Sequence, residues 1–397
     1  MKTNRRRFLK TAALTVPLIV ASRHVRGSEA NEKIRLGVVG LGGRGGWITD
    51  LFNKDGNYEI AAVADYHPAV AEAAGERFGV PAEKRFIGLS GYKRMLETDI
   101  DAIALEAVPY FYPEHVRASV DAGKHVYMAK PVAVDIWGTR SVRDDAARSQ
   151  KNGKVFLVDF QVPTNENNRK ALECVRNDEI GRVVSLQTCY FAGWFGDPAF
   201  TSYEQRLQHL NWVNDDILGG SYHVNACIHG VEAGLELVGG ELPVSAQGLS
   251  INTRPNAHGD SHSMYSLTFN FEDGRLWAHH GIHHERPFHV RAVAHGTHGV
   301  AEIGYTGRAC VRGSQGDKDF GEITDLYPSG ASANIAKFAR AVRAGDTTND
   351  TVDISINANY VTILGREAGK RRSQILLADL IAENHRYELD TTGWERQ

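Results

Sequence analysis

The sequence lacks several features that would point to particular classes of protein. Its 397 residues include only four cysteines, at 174, 189, 227 and 310, and no two of them form a Cys-x-x-Cys pair. This excludes a disulfide framework, leaves room for a single disulfide, and gives no sign of a zinc knuckle or redox dithiol. The formal net charge is only −3, so nothing suggests a nucleic acid or an anionic membrane as partner. Beyond the first 32 residues, no hydrophobic run is long enough to span a bilayer.

The first thirty residues carry the pattern of an export signal. The basic segment Asn4-Arg5-Arg6-Arg7-Phe8-Leu9-Lys10 precedes a modest apolar stretch, 12–21, which Pro17 interrupts. That stretch is too short to cross a bilayer comfortably, and the pattern is typical of a twin-arginine signal. We therefore interpret residues 1–30 as a signal peptide and predict a periplasmic or otherwise exported protein. A basic tail without structure is the alternative.

A glycine-rich turn follows an apolar run near the start of the remaining chain. The run from Ile34 to Val39 predicts a buried parallel strand, and the turn after it fits the Gly-x-Gly-x-x-Gly pattern. A helix opening at Gly43 would direct its free N–H groups at a pyrophosphate. A second predicted strand ends in Asp65, which can accept hydrogen bonds from a ribose 2′-hydroxyl and repels a 2′-phosphate. The sequence thus predicts NAD binding by Gly40, Gly42, Gly43, Arg44, Gly45 and Asp65, against the alternative of a glycine-rich turn in some other α/β protein.

The pattern of strands and helices predicts an α/β protein with two domains. Between residues 33 and 150, strands and helices alternate as in a Rossmann-type, doubly wound parallel sheet. From residue 151 to 397, long alternating runs predict an α/β domain with an open, mostly antiparallel sheet, whose last helices pack back on the first domain. The runs are 183–191, 245–252, 263–271, 276–283 and 288–295, and turns at 272–274 and 296–299 are predicted to join hairpin partners.

Two further motifs could carry chemistry. Lys130 follows the predicted strand 125–128, at the sheet edge where ligands bind, and Pro131, which allows a cis peptide bond, could hold it in a fixed geometry. It could bind the cofactor and donate a hydrogen bond to a substrate hydroxyl. In the predicted helix 221–237, Tyr222, Asn225 and His229 have the spacing of residues that share one face. A neutral His229 could take a proton from a hydroxyl, whereas His223 lies off that face.

These residues together resemble the Gfo/Idh/MocA oxidoreductase family. The family's Glu-Lys-Pro motif corresponds to Ala129-Lys130-Pro131, and its Gly-Gly-…-Asp-x-x-x-His motif corresponds to the segment from Gly219 to His229. The resemblance extends over essentially everything after residue 32. It implies a Rossmann domain, an open-sheet α/β domain, NAD(P) chemistry on sugars or cyclitols, and homo-oligomers packed through the sheets.

The chain departs from the family motifs at two positions. Ala129 stands where the family has glutamate, which bears on how Lys130 is oriented. Asn225 stands where the family has aspartate, and an amide cannot relay a proton. Catalysis would then need His229 to act without an acidic relay, or with help from His223. Lys130, His229, Asn225 and Tyr222 remain the candidate catalytic residues.

Two other groups of residues call for interpretation. The run His279-His280-Gly281-Ile282-His283-His284 alternates between the two faces of a predicted strand, without a carboxylate or cysteine nearby to complete a metal site, so no metal is predicted. Trp194, Phe195, Tyr203 and Trp212 lie in an irregular segment before the Gly-Gly motif. They could form a wall that stacks on sugar rings, or they could pack that segment onto the sheet.

The leading hypothesis is an exported NAD-dependent oxidoreductase that acts on a secondary hydroxyl of a sugar or glycoside, with C3 as one candidate carbon. Free NAD is scarce outside the cytoplasm, so the cofactor should be tightly held and regenerated within each cycle. One alternative is a redox-neutral glycoside hydrolase, in which oxidation, elimination, water addition and reduction follow each other, with Tyr222 or His229 as base. A second alternative is an inactive sugar-binding protein that retains NAD.

Overall fold

The N-terminal sheet holds six parallel strands at the centre of a Rossmann fold. The computed structural model describes residues 33–193, 202, 205, 207, 212–254, 259–284, 287–348 and 351–394. The predicted signal peptide and Trp194, Phe195 and Tyr203 therefore lie outside the described residues. The strands are β1 Ile34–Val39, β2 Tyr58–Asp65, β3 Arg85–Ile87, β4 Ala102–Leu105, β5 His125–Met128 and β6 Phe156–Val158, in the order β3-β2-β1-β4-β5-β6.

Helices cover both faces of this sheet, which explains why its central strands are apolar throughout. The helices are α1 Gly43–Asp55, α2 Pro68–Phe78, α3 Gly91–Leu96, α4 Tyr112–Asp121 and α5 Ile136–Lys151. Local sequence sets their ends: Asp135 caps α5 by accepting a hydrogen bond from the N–H of Gly138 at 2.7 Å. The strand order changes direction between β1 and β4, and ligands bind at such a point.

The parallel sheet matches the predicted one and extends beyond residue 150. The strands predicted at 34–39 and 125–128 are confirmed residue for residue. The sixth strand pairs with β5 through Val126 and Phe156, so this sheet draws on residues after the predicted domain boundary.

The second sheet is mostly antiparallel, as predicted. In the described ranges it has nine strands, and β7 with β10 is its parallel pair. The strands are β7 Val183–Ala192, β8 Ser245–Ile251, β9 Met264–Asn270, β10 Leu276–His283, β11 His289–Gly296, β12 Gly299–Gly304, β13 Arg308–Gly313, β14 Lys318–Glu322 and β15 Ile375–Leu376. Their order is β14-β13-β12-β11-β7-β10-β9-β8-β15. Both predicted hairpin turns are confirmed, since β9 pairs with β10 and β11 pairs with β12.

The remaining helices are α6 Glu166–Arg176, α7 Ile228–Leu237, α8 Leu326–Ala344, α9 Thr351–Arg371 and α10 Leu377–Glu383. The long C-terminal helices α8 and α9 pack on the first domain. The Tyr58 hydroxyl donates to the Ile335 carbonyl of α8 at 2.7 Å, and the Asn359 amide of α9 donates to the Ala133 carbonyl at 3.1 Å. None of the helices in these ranges has the length and apolar character needed to cross a membrane.

One face of the second sheet is packed by helices α7 and α9, and the other face carries exposed side chains. On β10, His279 and His283 are buried while His280 is exposed, so the predicted division of the histidines between two faces is confirmed. The exposed face also carries Leu249, at 57% exposure, and Leu276, at 51%. A second surface could cover these apolar side chains.

Candidate active site

The glycine turn has the close-packed geometry that the nucleotide-binding pattern requires. Gly40 adopts φ +84°, and a Cβ atom there would lie 2.7 Å from the backbone nitrogen of Ala107. A Cβ atom on Gly45 would overlap the carbonyl oxygen of Gly40. Only glycine fits these two positions, because the turn conformation and the close approach of α1 to β1 leave no room for a side chain.

The N-terminus of α1 opens onto a cavity of about 260 Å³. Gly42 precedes the helix without a side-chain cap, and the first turn carries no acidic residue. A Cβ atom on Gly43 would meet nothing within 4 Å, so space lies in front of the free N–H groups. Gly40, Gly42, Gly43, Arg44 and Gly45 all line this cavity. The arrangement fits a pyrophosphate, which the helix dipole and the N–H groups would hold.

Asp65 ends β2 and lines the same cavity. Its carboxylate accepts hydrogen bonds from the Leu41 N–H at 2.7 Å and from the His67 N–H at 2.9 Å. Burial raises the pKa of Asp65, and the two backbone hydrogen bonds act in the opposite direction. The N–H groups fix the carboxylate at the cavity wall, where a ribose hydroxyl can reach its remaining lone pairs.

The charge of Asp65 should set the preference for NAD over NADP. Replacing Asp65 with asparagine removes the charge that repels a 2′-phosphate, so we expect the ratio of Kd for NADP to Kd for NAD to fall about tenfold. Titration calorimetry with both dinucleotides measures the ratio. Asp99→Asn, at an exposed carboxylate, serves as the control. An unchanged ratio in Asp65→Asn would contradict this role.

The wall of the nucleotide cavity is apolar and includes Trp212. This residue, with Tyr66, Val108 and Leu207, forms a small cluster at the cavity. The sequence interpretation placed Trp212 in a sugar-stacking wall, but the structure places it beside the nucleotide site. The sequence did not indicate that Trp212 lines this cavity, because Trp212 is far from the glycine turn along the chain.

Lys130 lies at the end of β5, and the Lys130-Pro131 peptide is cis. Its ammonium group donates a hydrogen bond of 2.6 Å to the carbonyl oxygen of Asn225. Burial lowers the pKa of Lys130 to about 7; the charge of Arg44 adds to this, while Asp159 and Glu106 oppose it. The structure thus joins the two predicted motifs through a direct contact.

The segment before α7 is not the regular helix that the sequence predicts. His223–Cys227 form a π-helical turn, which changes the side-chain spacing assumed for residues 222, 225 and 229. Tyr222 is buried, donates its hydroxyl to the Ile282 carbonyl at 2.9 Å, and stacks on His283. Asn225 presents its carbonyl to Lys130, and its side-chain Nδ2 is buried with no hydrogen-bond partner among the described residues. Such turns are frequent at functional sites because they re-aim side chains.

His229 is held in a defined orientation by Tyr305. The ring nitrogen Nδ1 lies 2.8 Å from the Tyr305 hydroxyl, which donates to Oε1 of Gln161 at 3.0 Å. Gln161 is oriented by its own Nε2, which donates to the Asp159 carbonyl. Since a phenol has one hydrogen to donate, the proton of His229 is assigned to Nδ1, which leaves the lone pair on Nε2. Tyr305 and Gln161 carried no motif and were not predicted.

The environment of His229 keeps it neutral. Tyr190 stacks on the imidazole at a centroid distance of 6.0 Å, and the ring of Tyr327 lies 5.1 Å away. Burial lowers the pKa of His229 well below its usual value, and the charges of Lys130 and Arg44 lower it further. A neutral imidazole can accept a proton. His223 cannot assist it in this arrangement, because its Nδ1 donates to the Thr362 carbonyl and its ring packs on Tyr265 and His279.

Three charged residues form a network beside Lys130. Arg44 Nε donates to Oε2 of Glu106 at 3.1 Å, and Arg44 Nη2 donates to Oδ2 of Asp159 at 2.7 Å. Asp159 Oδ1 also accepts a hydrogen bond from Asn334 of α8. Glu106 follows β4 and Asp159 follows β6, so their place at the sheet edge was the signal that could have identified them.

The buried histidines of strand β10, His279 and His283, do not belong to this network. Within the parts of the chain described, no three histidine, cysteine, aspartate or glutamate side chains come together as metal ligands. His279 Nδ1 instead lies 2.8 Å from the Thr188 hydroxyl.

Comparison with known proteins supports NAD binding by the N-terminal domain. Residues 34–160 match the family model GFO_IDH_MocA, described as an oxidoreductase family with an NAD-binding Rossmann fold. A glycosyl hydrolase family 109 protein of Shewanella pealeana (strain ATCC 700345 / ANG-SQ1) is 29% identical over 48% of this chain and 46% of its own length. Inositol 2-dehydrogenase of Klebsiella pneumoniae (strain 342) is 27% identical over 46% of this chain and 55% of its own length. The chain thus spans about half the length of these curated relatives.

The similarity of fold to solved structures covers most of the chain. Scyllo-inositol dehydrogenase from Lactobacillus casei, solved with NAD(H) and scyllo-inositol, superposes with a TM-score of 0.68 at 17% identity, covering 87% of this chain and all of that one. At this identity the likeness concerns the fold alone. Residues 34–160, which contain the glycine turn and Asp65, thus match the NAD-binding Rossmann domain of the GFO_IDH_MocA oxidoreductase family.

Proposed function

We propose that the protein is an NAD-dependent oxidoreductase that acts on a secondary hydroxyl of a sugar or glycoside, with C3 as one candidate carbon. The contact between Lys130 and the carbonyl of Asn225 carries this proposal, because it brings an amine at the nucleotide-binding edge to the helix that bears the neutral His229. The similarity to an inositol 2-dehydrogenase supports a polyol-like substrate.

Each of these residues has a task that its contacts support. NAD, when bound, supplies the hydride acceptor. Lys130 donates a hydrogen bond to the substrate oxygen, and Nε2 of His229 accepts the hydroxyl proton. Tyr305 holds the imidazole in the tautomer that leaves Nε2 free. The buried Nδ2 of Asn225, which has no partner among the described residues, donates to a second substrate oxygen, so this amide has a binding role and needs no proton relay.

A redox-neutral glycoside hydrolase is the second candidate. The similarity to a glycosyl hydrolase family 109 protein favours it. Of the two bases considered, His229 suits the reaction better than Tyr222. Burial raises the pKa of Tyr222 well above its usual value, and its hydroxyl is engaged by Ile282.

Export and assembly complete the proposal. The twin-arginine pattern at 5–10 supports export of the folded protein with its cofactor already bound. Fractionation of cells that express the full chain tests this, and an exclusively cytoplasmic protein would contradict it.

The exposed face of the second sheet, with Leu249 and Leu276, supports a homo-oligomer that covers it. Sedimentation that shows only a monomer would contradict such an assembly.

One experiment separates the candidate functions. The purified protein with bound NAD is mixed with myo-inositol, with free aldoses, or with p-nitrophenyl glycosides, and the reduced nicotinamide band and p-nitrophenol release are followed. A stable rise of the reduced band together with a keto product supports the oxidoreductase. Release of p-nitrophenol without net reduction supports the hydrolase. If NAD stays bound and neither signal appears, the protein is an inactive sugar-binding protein and both enzyme proposals fail.

A further inference from the structure

The carboxyl group of Glu106 is buried between the glycine turn and Lys130. Its backbone N–H donates to the Val39 carbonyl at the end of β1. Leu105 of β4 pairs with Met128 of β5, so Glu106 lies beside Ala129 on the neighbouring strand. The side chain has no exposed surface in this structure, yet the residue lines the nucleotide cavity.

One oxygen of this carboxyl group is paired and the other is not. Oε2 accepts the hydrogen bond from Arg44, whereas Oε1 is buried with no hydrogen-bond partner in the described ranges. A buried carboxylate oxygen without a partner is costly, and native proteins rarely leave one. Because Glu106 lines the nucleotide cavity, a ligand bound there that brings a hydrogen-bond donor would complete the pairing of this oxygen.

Charged and ionisable side chains from four elements surround Glu106. Arg44 of α1 attracts it, Asp159 after β6 repels it, and Lys130 after β5 attracts it, while Tyr112 and Tyr127 also face the group. Burial raises the pKa of Glu106 to about 7, against the effect of Arg44. Above that pH the free oxygen carries negative charge and can only accept a hydrogen bond.

The position of Glu106 selects the part of the dinucleotide that it can reach. Asp65 at the end of β2 marks the adenosine side of the cavity, the α1 N-terminus marks the pyrophosphate, and Lys130 marks the reacting end. Glu106 follows β4, on the Lys130 side of the point where the strand order reverses. Phosphate oxygens would be repelled here, whereas ribose hydroxyls and a carboxamide offer donors.

We infer that Glu106 is a cofactor-binding residue whose Oε1 accepts a hydrogen bond from the nicotinamide nucleoside half of NAD, through a ribose hydroxyl or the carboxamide N–H. This rests on the proposed NAD-dependent function. Glu106 lies on the strand beside Ala129, so it supplies a carboxylate that the Ala129-Lys130-Pro131 motif lacks.

Glu106→Gln tests the inference because it reverses the polarity at the cavity. The amide oxygen must face the Arg44 donor, so the NH₂ group faces the ligand and offers a donor where an acceptor is needed. We expect the Kd for NAD to rise about tenfold, while the Kd for ADP, which lacks the nicotinamide nucleoside, stays unchanged. Wild-type NAD affinity should also fall between pH 8 and pH 6, as Glu106 takes up a proton, with no matching fall for ADP.

The outcomes are distinct and need no catalytic assay. Calorimetry with NAD and ADP is run on the wild type, on Glu106→Gln, and on Glu72→Gln, whose exposed carboxylate pairs with Arg85 on the same domain. Equal losses for NAD and ADP would show a structural role and overturn the inference, as would an unchanged NAD affinity. If Glu106→Gln does not fold, the pH comparison is run on the wild type and on Lys130→Met, because the pKa of Lys130 is also about 7. A fall in NAD affinity that persists without Lys130 supports the inference, and a fall that disappears overturns it. A wild type that binds neither ligand would refute the proposed function itself.

Discussion

Replacing Lys130 with methionine is expected to lower kcat/KM for the sugar substrate about a thousandfold. Methionine has a similar length and no donor, so the variant loses the hydrogen bond to the substrate oxygen where charge develops in the transition state. The loss should fall mainly on kcat, because the contact strengthens as the hydroxyl loses its proton. Steady-state kinetics with the substrate identified in the absorbance assay measure it.

A matched control separates this effect from a loss of folding. Lys151→Met, at the exposed end of α5, should keep wild-type kinetics. The Kd for ADP should be unchanged in Lys130→Met, because the adenosine side of the cavity is remote from this residue along the sheet edge. A near-normal kcat in Lys130→Met would show that Lys130 has no catalytic role.

Replacing His229 with asparagine should lower kcat about a hundredfold or more. Asparagine can still form a hydrogen bond with Tyr305, but it has no basic nitrogen to accept the hydroxyl proton. Because the histidine is already neutral, its removal should not change NAD binding. Single-turnover kinetics with bound NAD report the chemical step directly.

The comparison variant for this prediction is His280→Asn. His280 lies on the exposed face of the second sheet, so the same substitution there changes one histidine without touching the site. Retained single-turnover rates in His229→Asn would mean that another group takes the proton, and the assignment of His229 would then be wrong.

Most of the parallel sheet could be predicted from the sequence, because buried strands with helices on both faces are apolar throughout. The second sheet was predicted less completely. Strands β12, β13 and β14 were missed: β12 is bounded by glycines, and β14, with sequence Lys-Asp-Phe-Gly-Glu, is a polar edge strand. Helix α8 begins at Leu326 although it contains Pro328 and Gly330. Proline is tolerated in the first turn of a helix, and α8 packs on the first domain.

The candidate site was predicted only where a short motif carried it. The glycine turn, Asp65 and Lys130 follow from local pattern, because the backbone geometry that they need is local. Tyr305 and Gln161 could not be found this way, since each acts through a contact with a residue distant in the chain. The regular helix predicted for residues 221–237 was wrong over residues 223–227, because a π-helical turn is not visible as a periodicity.

The hydrogen bond from Asn334 to Asp159 has a consequence for biosynthesis. Asp159 holds Arg44 of the glycine turn, and the amide that orients Asp159 lies 175 positions later in the chain. A ribosome that has released only the family-matched segment has therefore made the nucleotide-binding motif without the side chain that completes its charge network. We expect cofactor capture to await synthesis of α8, so that a nascent chain stalled before Asn334 retains NAD poorly.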